Sequence, residues 1–137
     1  MMLGGSRSIG GRFTMTTSWG EQMALSRLAR EFAAEIKLQD WSDSPWRRDR
    51  AGHRREDDSK SGERVLTRDE TDSVRTNVMW VVAQVLGHCD PNFDEYEFAE
   101  ACGVDTRTSG GRRDGGIRAG LRIDTDGRYH HPGTLEW

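Results

Sequence analysis

The stretch from residue 67 to residue 104 constrains the fold more than any other part of the chain. Thr67 and Glu70 stand at capping-box spacing, where the hydroxyl satisfies the amide three residues on and the carboxylate reaches back. Val74, Val78, Val81, Val82 and Val85 then recur at helical spacing, and Met79, Trp80 and Leu86 widen the apolar face. This predicts a long helix over 67–86, the most buried of the chain, with Val78, Val81, Val82 and Val85 in the core. Its β-branched valines lower helix propensity slightly, but capping and length favour helix over strand. Gly87 is expected at the C′ position, and Asp90-Pro91-Asn92 as the turn. Asp94 is then expected to cap a short helix over 95–102, with Glu97 at the box position and Phe93 as the staple. Phe98, Ala99 and Cys102 should face inward.

An earlier helix is expected over 18–38. Ser18 and Glu21 have the capping-box spacing, and Leu25, Leu28, Ala29, Phe32, Ala33 and Ile36 form one apolar stripe. A stripe of this length reads more simply as a core helix of the same domain than as a coiled coil, which needs several sustained heptads. Residues 1–17 read as a flexible tail, Gly-rich and aperiodic over 1–14. Residues 39–65 read as a charged linker without helical or strand period. Within it Trp41 and Trp46 are expected either to dock on the core or to anchor a partner. The basic run Arg47, Arg48, Arg50, Arg54 and Arg55 is interleaved with Asp49 and Glu56, so a self-neutralising solvated segment is the simpler reading than a phosphate-binding arm.

Charge separates the remaining chain into two parts. Residues 66–104 carry eight carboxylates against Arg68 and Arg75, whereas residues 105–131 carry six arginines against four aspartates. An apolar fraction of 34% over 137 residues argues against a core spanning the whole chain. No apolar run reaches membrane-span length and no secretory signal precedes Cys89 and Cys102, so a cytoplasmic protein with reduced thiols and no membrane association is expected.

Catalytic and metal chemistry find little purchase. His88, Cys89, Cys102, His130 and His131 lack the Cys-x2–4-Cys and His-x3–5-His spacings of a zinc finger. Cys89 beside His88 has no third orienting group, and Ser109-Gly110-Gly111-Arg112-Arg113 lacks the lysine of a phosphate-binding loop. Neither enzyme activity, a cofactor nor a metal is expected.

The last third holds a Gly/Arg-rich segment over 105–116. After it, Leu121-Arg122-Ile123 and Arg128-Tyr129-His130 flank Asp124-Thr125-Asp126-Gly127, a hairpin signal. Leu135 and Trp137 are expected to fold back on the core. Phe98-Ala99-Glu100-Ala101-Cys102-Gly103-Val104 places a small residue four before a glycine, and Arg118-Ala119-Gly120-Leu121-Arg122-Ile123 with Asp126-Gly127-Arg128-Tyr129 follows. With these residues, 66–137 resembles the small winged helix-turn-helix domain proteins common in phages of actinobacteria. The resemblance implies a mainly α fold with a small C-terminal β hairpin as wing, and DNA binding in transcription regulation. It departs where apolar residues are wanted six and nine after Gly103: Ser109 and Arg112 stand there. Residues 106–116 then hold either an insertion or a flexible basic loop in place of a recognition helix. The expected partner is duplex DNA, met by Arg107, Arg112, Arg113, Arg118, Arg122 and Arg128, because arginine clamps phosphate and reads guanine edges. His130 and His131 would join the hairpin's contacts. The rival expectation is a module for a host or virion protein, binding through Trp19, Trp41, Trp46 and an acidic face of Asp94, Glu95, Glu97 and Glu100.

Overall fold

The computed structural model of the chain describes residues 25–135. Expectations for the tail, for Ser18 and Glu21, for Trp19 and for Trp137 lie outside them. Within them the protein is mainly helical: α1 (Arg27–Leu38), α2 (Arg68–Cys89), α3 (Glu95–Ala101) and α4 (Gly115–Ala119). Helix α1 packs on both α2 and α3, α2 packs on α3, and α4 adds to α3. The stripe before residue 38 therefore belongs to the same core as the helices after residue 66.

Helix α1 starts at Arg27 because the Ser26 hydroxyl accepts the Ala29 amide at 3.1 Å. Leu25, Ala29, Ala33 and Ile36 are buried. The two alanines let neighbouring helices approach closely. Leu28 and Phe32, expected in the same stripe, are exposed, so the buried face is narrower than the apolar one.

The capping box at Thr67 forms as expected, with both reciprocal bonds present. The face that α2 buries is different. Met79, Ala83, Gln84, Leu86 and Gly87 are buried; Val78 and Val82 sit at the margin, and Val81 (71% exposed) and Val85 (44%) point to solvent. Gly87 is not C′ but inside the helix, which runs on to Cys89 and closes with the Asp90 amide on the Leu86 carbonyl. The reason is tertiary. A Cβ on Gly87 would overlap the Tyr129 ring, so the helix turns its glycine toward that ring and its valines away.

Asp94 caps α3, accepting the amides of Tyr96 and Glu97 at 2.9 and 3.2 Å. Phe98, Ala99 and Cys102 are fully buried, as expected. Burying Phe98 alone contributes about 1.5–3 kcal/mol. Gly103, at φ +86°, ends the helix in the left-handed region that a side chain resists. Phe93 closes on Phe98 with ring centroids 5.4 Å apart.

The segment between α1 and α2 has no α-helix or strand but is built. Two single 3₁₀ turns, Ser44–Trp46 and Arg55–Asp57, each follow closely on a buried residue, Asp43 and His53 respectively. The Asp40 carboxylate gathers the Ser42 hydroxyl, the Ser42 amide and the Arg55 amide. Burial by itself would raise this carboxyl, but those bonds outweigh it and hold it below the ordinary aspartate range. Trp41 is half-buried, and its indole N–H donates to the Ile36 carbonyl at 3.0 Å, which takes the docking alternative. Trp46 is 42% exposed, with the Arg64 guanidinium 5.8 Å from its ring.

No β-strand occurs among the described residues. Two isolated antiparallel bridges, Arg107–Arg113 and Ile123–Tyr129, stand where the basic segment and the hairpin were expected. Around Gly127 (φ +88°) the second turn forms, with Asp124 N–H on the Arg128 carbonyl and His130 N–H on the Arg122 carbonyl. Two strands alone are marginal in water. Here α2 supplies the missing partner through Gln84. Leu135 is 80% exposed and does not fold back on the core.

Candidate functional site

The C-terminal arginines fall into two groups, divided by what the helices demand of them. Glu95, in the first turn of α3, is buried, and a buried carboxylate needs a partner. Arg118 of α4 supplies it, Nη1 to Oε2 at 2.5 Å, with the Tyr129 hydroxyl 3.5 Å from the other oxygen. Tyr96 is also buried; its hydroxyl donates to the Asp114 carbonyl at 2.9 Å, fixing the start of α4. The Arg113 guanidinium lies over its ring, 4.2 Å from the centroid. Arg122 is half-buried, its main chain held by Gln84 and its Nε without a hydrogen-bond partner. These three arginines are tied to the fold.

The other three face water. Arg107 and Arg112 lie on the turn closed by the Arg107–Arg113 bridge. That turn is shaped by Thr108 N–H on the Arg112 carbonyl (2.7 Å) and by Gly111 at φ +84°. Their guanidinium groups have no hydrogen-bond or ion-pair partner among the described residues. Arg128 sits at the tip of the second turn, 3.6 Å from Asp126 and mostly exposed. His130 is half-buried with Nε2 against Asp124, and His131 packs edge-on to His88. The structure therefore presents Arg107, Arg112 and Arg128 together with one face of Arg113, while Arg118, itself half-exposed, is engaged by Glu95 and Arg122 is half-buried.

The acidic face is likewise reduced. Glu95 is inside the fold, and Glu100 accepts the Thr106 hydroxyl at 2.6 Å. Helix α4 has only five residues, a single turn after a bridged loop.

The chain matches no family model, no curated protein and no solved structure.

A second constellation escaped the sequence analysis. Asp43, Asp49 and His53 place one ligand-type atom each within 4.8 Å of one another, and Asp43 and His53 are buried. The available signal was the i, i+4 pair Asp49 and His53 beside an arginine run that reads as solvated surface. The histidines and cysteines weighed as metal ligands form no such group among the described residues. No described helix is long and apolar enough to cross a membrane.

Proposed function

We propose that this protein binds duplex DNA, in the manner of a reduced winged helix-turn-helix, through the Arg-bearing turns 107–113 and 123–129. The observation that carries the reading is the pair Arg107 and Arg112. These are two charged guanidiniums without internal partners among the described residues, on a Gly-containing turn pinned to α3 by the Arg113–Tyr96 contact. Such groups contact phosphates with little desolvation, and phosphate contacts supply most non-specific affinity. The order α3, turn, α4 and then a turn in the wing's position supports the same reading. With α4 one turn long and Arg118 engaged by Glu95, affinity rests on the backbone more than on base edges. The alternative, a module for a host or virion protein, has less support, since Glu95 and Trp41 are used inside the fold.

The test is retardation of random duplex DNA in ~50 mM salt, where non-specific binders reach micromolar affinity. Arg107→Ala with Arg112→Ala and Arg128→Ala is expected to keep the fold and weaken binding. The slope of log K against log salt should flatten by about 0.9 for each phosphate that is no longer neutralised. A parent protein that leaves duplex DNA unretarded at micromolar concentration overturns the reading.

A further inference from the structure

We propose that Asp43, Asp49 and His53 form a binding site for a divalent transition-metal ion of the Zn²⁺ class, which clamps the loop between α1 and α2. His53 Nε2 lies 3.3 Å from Asp43 Oδ1 and 3.5 Å from Asp49 Oδ2. Charge-assisted N–H···O bonds are shorter, at about 2.7–2.9 Å. Bonds of about 2.0–2.1 Å to a four-coordinate ion instead separate its ligand atoms by about 3.3–3.4 Å, the edge of the tetrahedron. Nε2 also lies 3.4 Å from Asp43 Oδ2, so the imidazole faces both oxygens of Asp43 and one of Asp49 at spacings longer than a charge-assisted bond and close to a tetrahedral edge.

Burial and orientation support this. Asp43 is 2% exposed, yet its Oδ1 has no hydrogen-bond partner. Buried carboxylate oxygens are seldom left so. Two arginines adjoin the group, on Asp43 Oδ2 and Asp49 Oδ1. Arg47 Nη2 is 3.2 Å from Asp49 Oδ1, Arg47 Nη1 is 4.0 Å from Asp43 Oδ2, and Arg55 Nε is 4.0 Å from that same Oδ2. Arg47 also pairs with Asp58 at 2.6 Å. The arginines therefore adjoin the carboxylates from outside, as partners of metal ligands commonly do, while both oxygens of Asp43 and Asp49 Oδ2 lie within 3.5 Å of the imidazole Nε2. Imidazole with two carboxylates suits Zn²⁺ and its first-row neighbours; all-oxygen sets suit Mg²⁺ and Ca²⁺. A polar cleft of about 400 Å³, lined by Asp49, His53, Asp57 and Lys60 among others, opens beside the group and gives a fourth, water ligand its place.

The experiment is calorimetric titration of the full chain with Zn²⁺, alongside thermal unfolding with and without it. One site per chain is expected, with a rise in unfolding temperature on binding. Asp49→Asn and His53→Gln each impair a proposed ligand, so each should weaken Zn²⁺ at least by the roughly tenfold to hundredfold that losing an outer-shell partner costs and abolish that rise. The competing surface site is His88 with His131, whose rings are 4.9 Å apart, beside the exposed Cys89. His88→Ala with His131→Ala should therefore leave the affinity unchanged. Parent protein that does not bind Zn²⁺, or binding that survives Asp49→Asn and disappears with the His88 and His131 changes, overturns the proposal. Should His53→Gln fail to fold, Asp49→Asn decides, since Asp49 lies nearer the rim of the cluster.

Discussion

The side-chain amide of Gln84 exchanges two hydrogen bonds with the main chain of Arg122: Nε2 donates to the Arg122 carbonyl at 3.1 Å, and Oε1 accepts the Arg122 amide at 2.8 Å. The same Nε2 also donates to the His130 carbonyl at 3.1 Å. One buried glutamine on α2 thereby imitates the edge of a neighbouring strand and holds both arms of the 122–130 turn.

Replacing Gln84 should accordingly loosen that turn. Gln84→Leu keeps the volume but leaves the Arg122 amide and two carbonyls without these partners. The expected loss is about 2–4 kcal/mol, built from buried groups at about 1–3 kcal/mol each. Urea unfolding measures it, and faster amide exchange at Arg122 and His130 would localise it. A variant as stable as the parent would mean that water replaces the glutamine.

Two glycines are expected to resist alanine. A Cβ on Gly87 would overlap the Tyr129 ring, and one on Gly120 the Trp80 ring. In an open helix Gly87→Ala would stabilise by about 1 kcal/mol. Here overpacking, at about 1–3 kcal/mol, opposes and outweighs that gain. The readout is the sign of the stability change, with Gly115→Ala, which meets nothing, as the reference.

Arg118 holds a structural place in the fold, as the partner of buried Glu95. Arg118→Ala strands the buried Glu95 carboxylate, with an expected cost of about 1–3 kcal/mol because the arginine itself is half-exposed. Glu95→Gln in the Arg118→Ala background should recover part of it, a coupling that a double-mutant cycle reads directly. Equal instability of the single and double variants would show that the pair does not matter.

The two thiols should differ sharply. Cys102 is buried, and that burial pushes its thiol up to about 12 despite the counteracting pull of Arg75, whereas Cys89 is exposed. At pH 8 a thiol reagent should label one cysteine per folded chain and the second only on unfolding. The folded-state value is raised above the ordinary 9.0, so the contribution to stability is complete below pH 9 and lost as pH rises toward 12. Rapid labelling of both thiols under native conditions would contradict the buried position.

Apolar surface separates the two faces of α2. Val81→Asp should be tolerated, since Val81 is exposed, and Met79→Asp should unfold the domain by placing an unpaired charge in the core. Circular dichroism and a cooperative melt distinguish the outcomes.

What the chain declares by itself are the features set by neighbours a few residues apart. Thr67 with Glu70 and Asp94 with the following amides close their caps within one turn, so spacing suffices to read them. Phe98, Ala99 and Cys102 share a face by helical period alone, and their burial follows from it. Tertiary structure decided which way α2 faces, because Gln84 and Gly87 turn inward to meet Arg122, His130 and Tyr129, residues some forty positions later. It decided which arginines are available, because Glu95 is buried and takes Arg118, a partner no local spacing announces. It also brought Asp43 to His53 and Asp49, through a loop whose charges neutralise one another in sequence and gather around a buried imidazole only on folding.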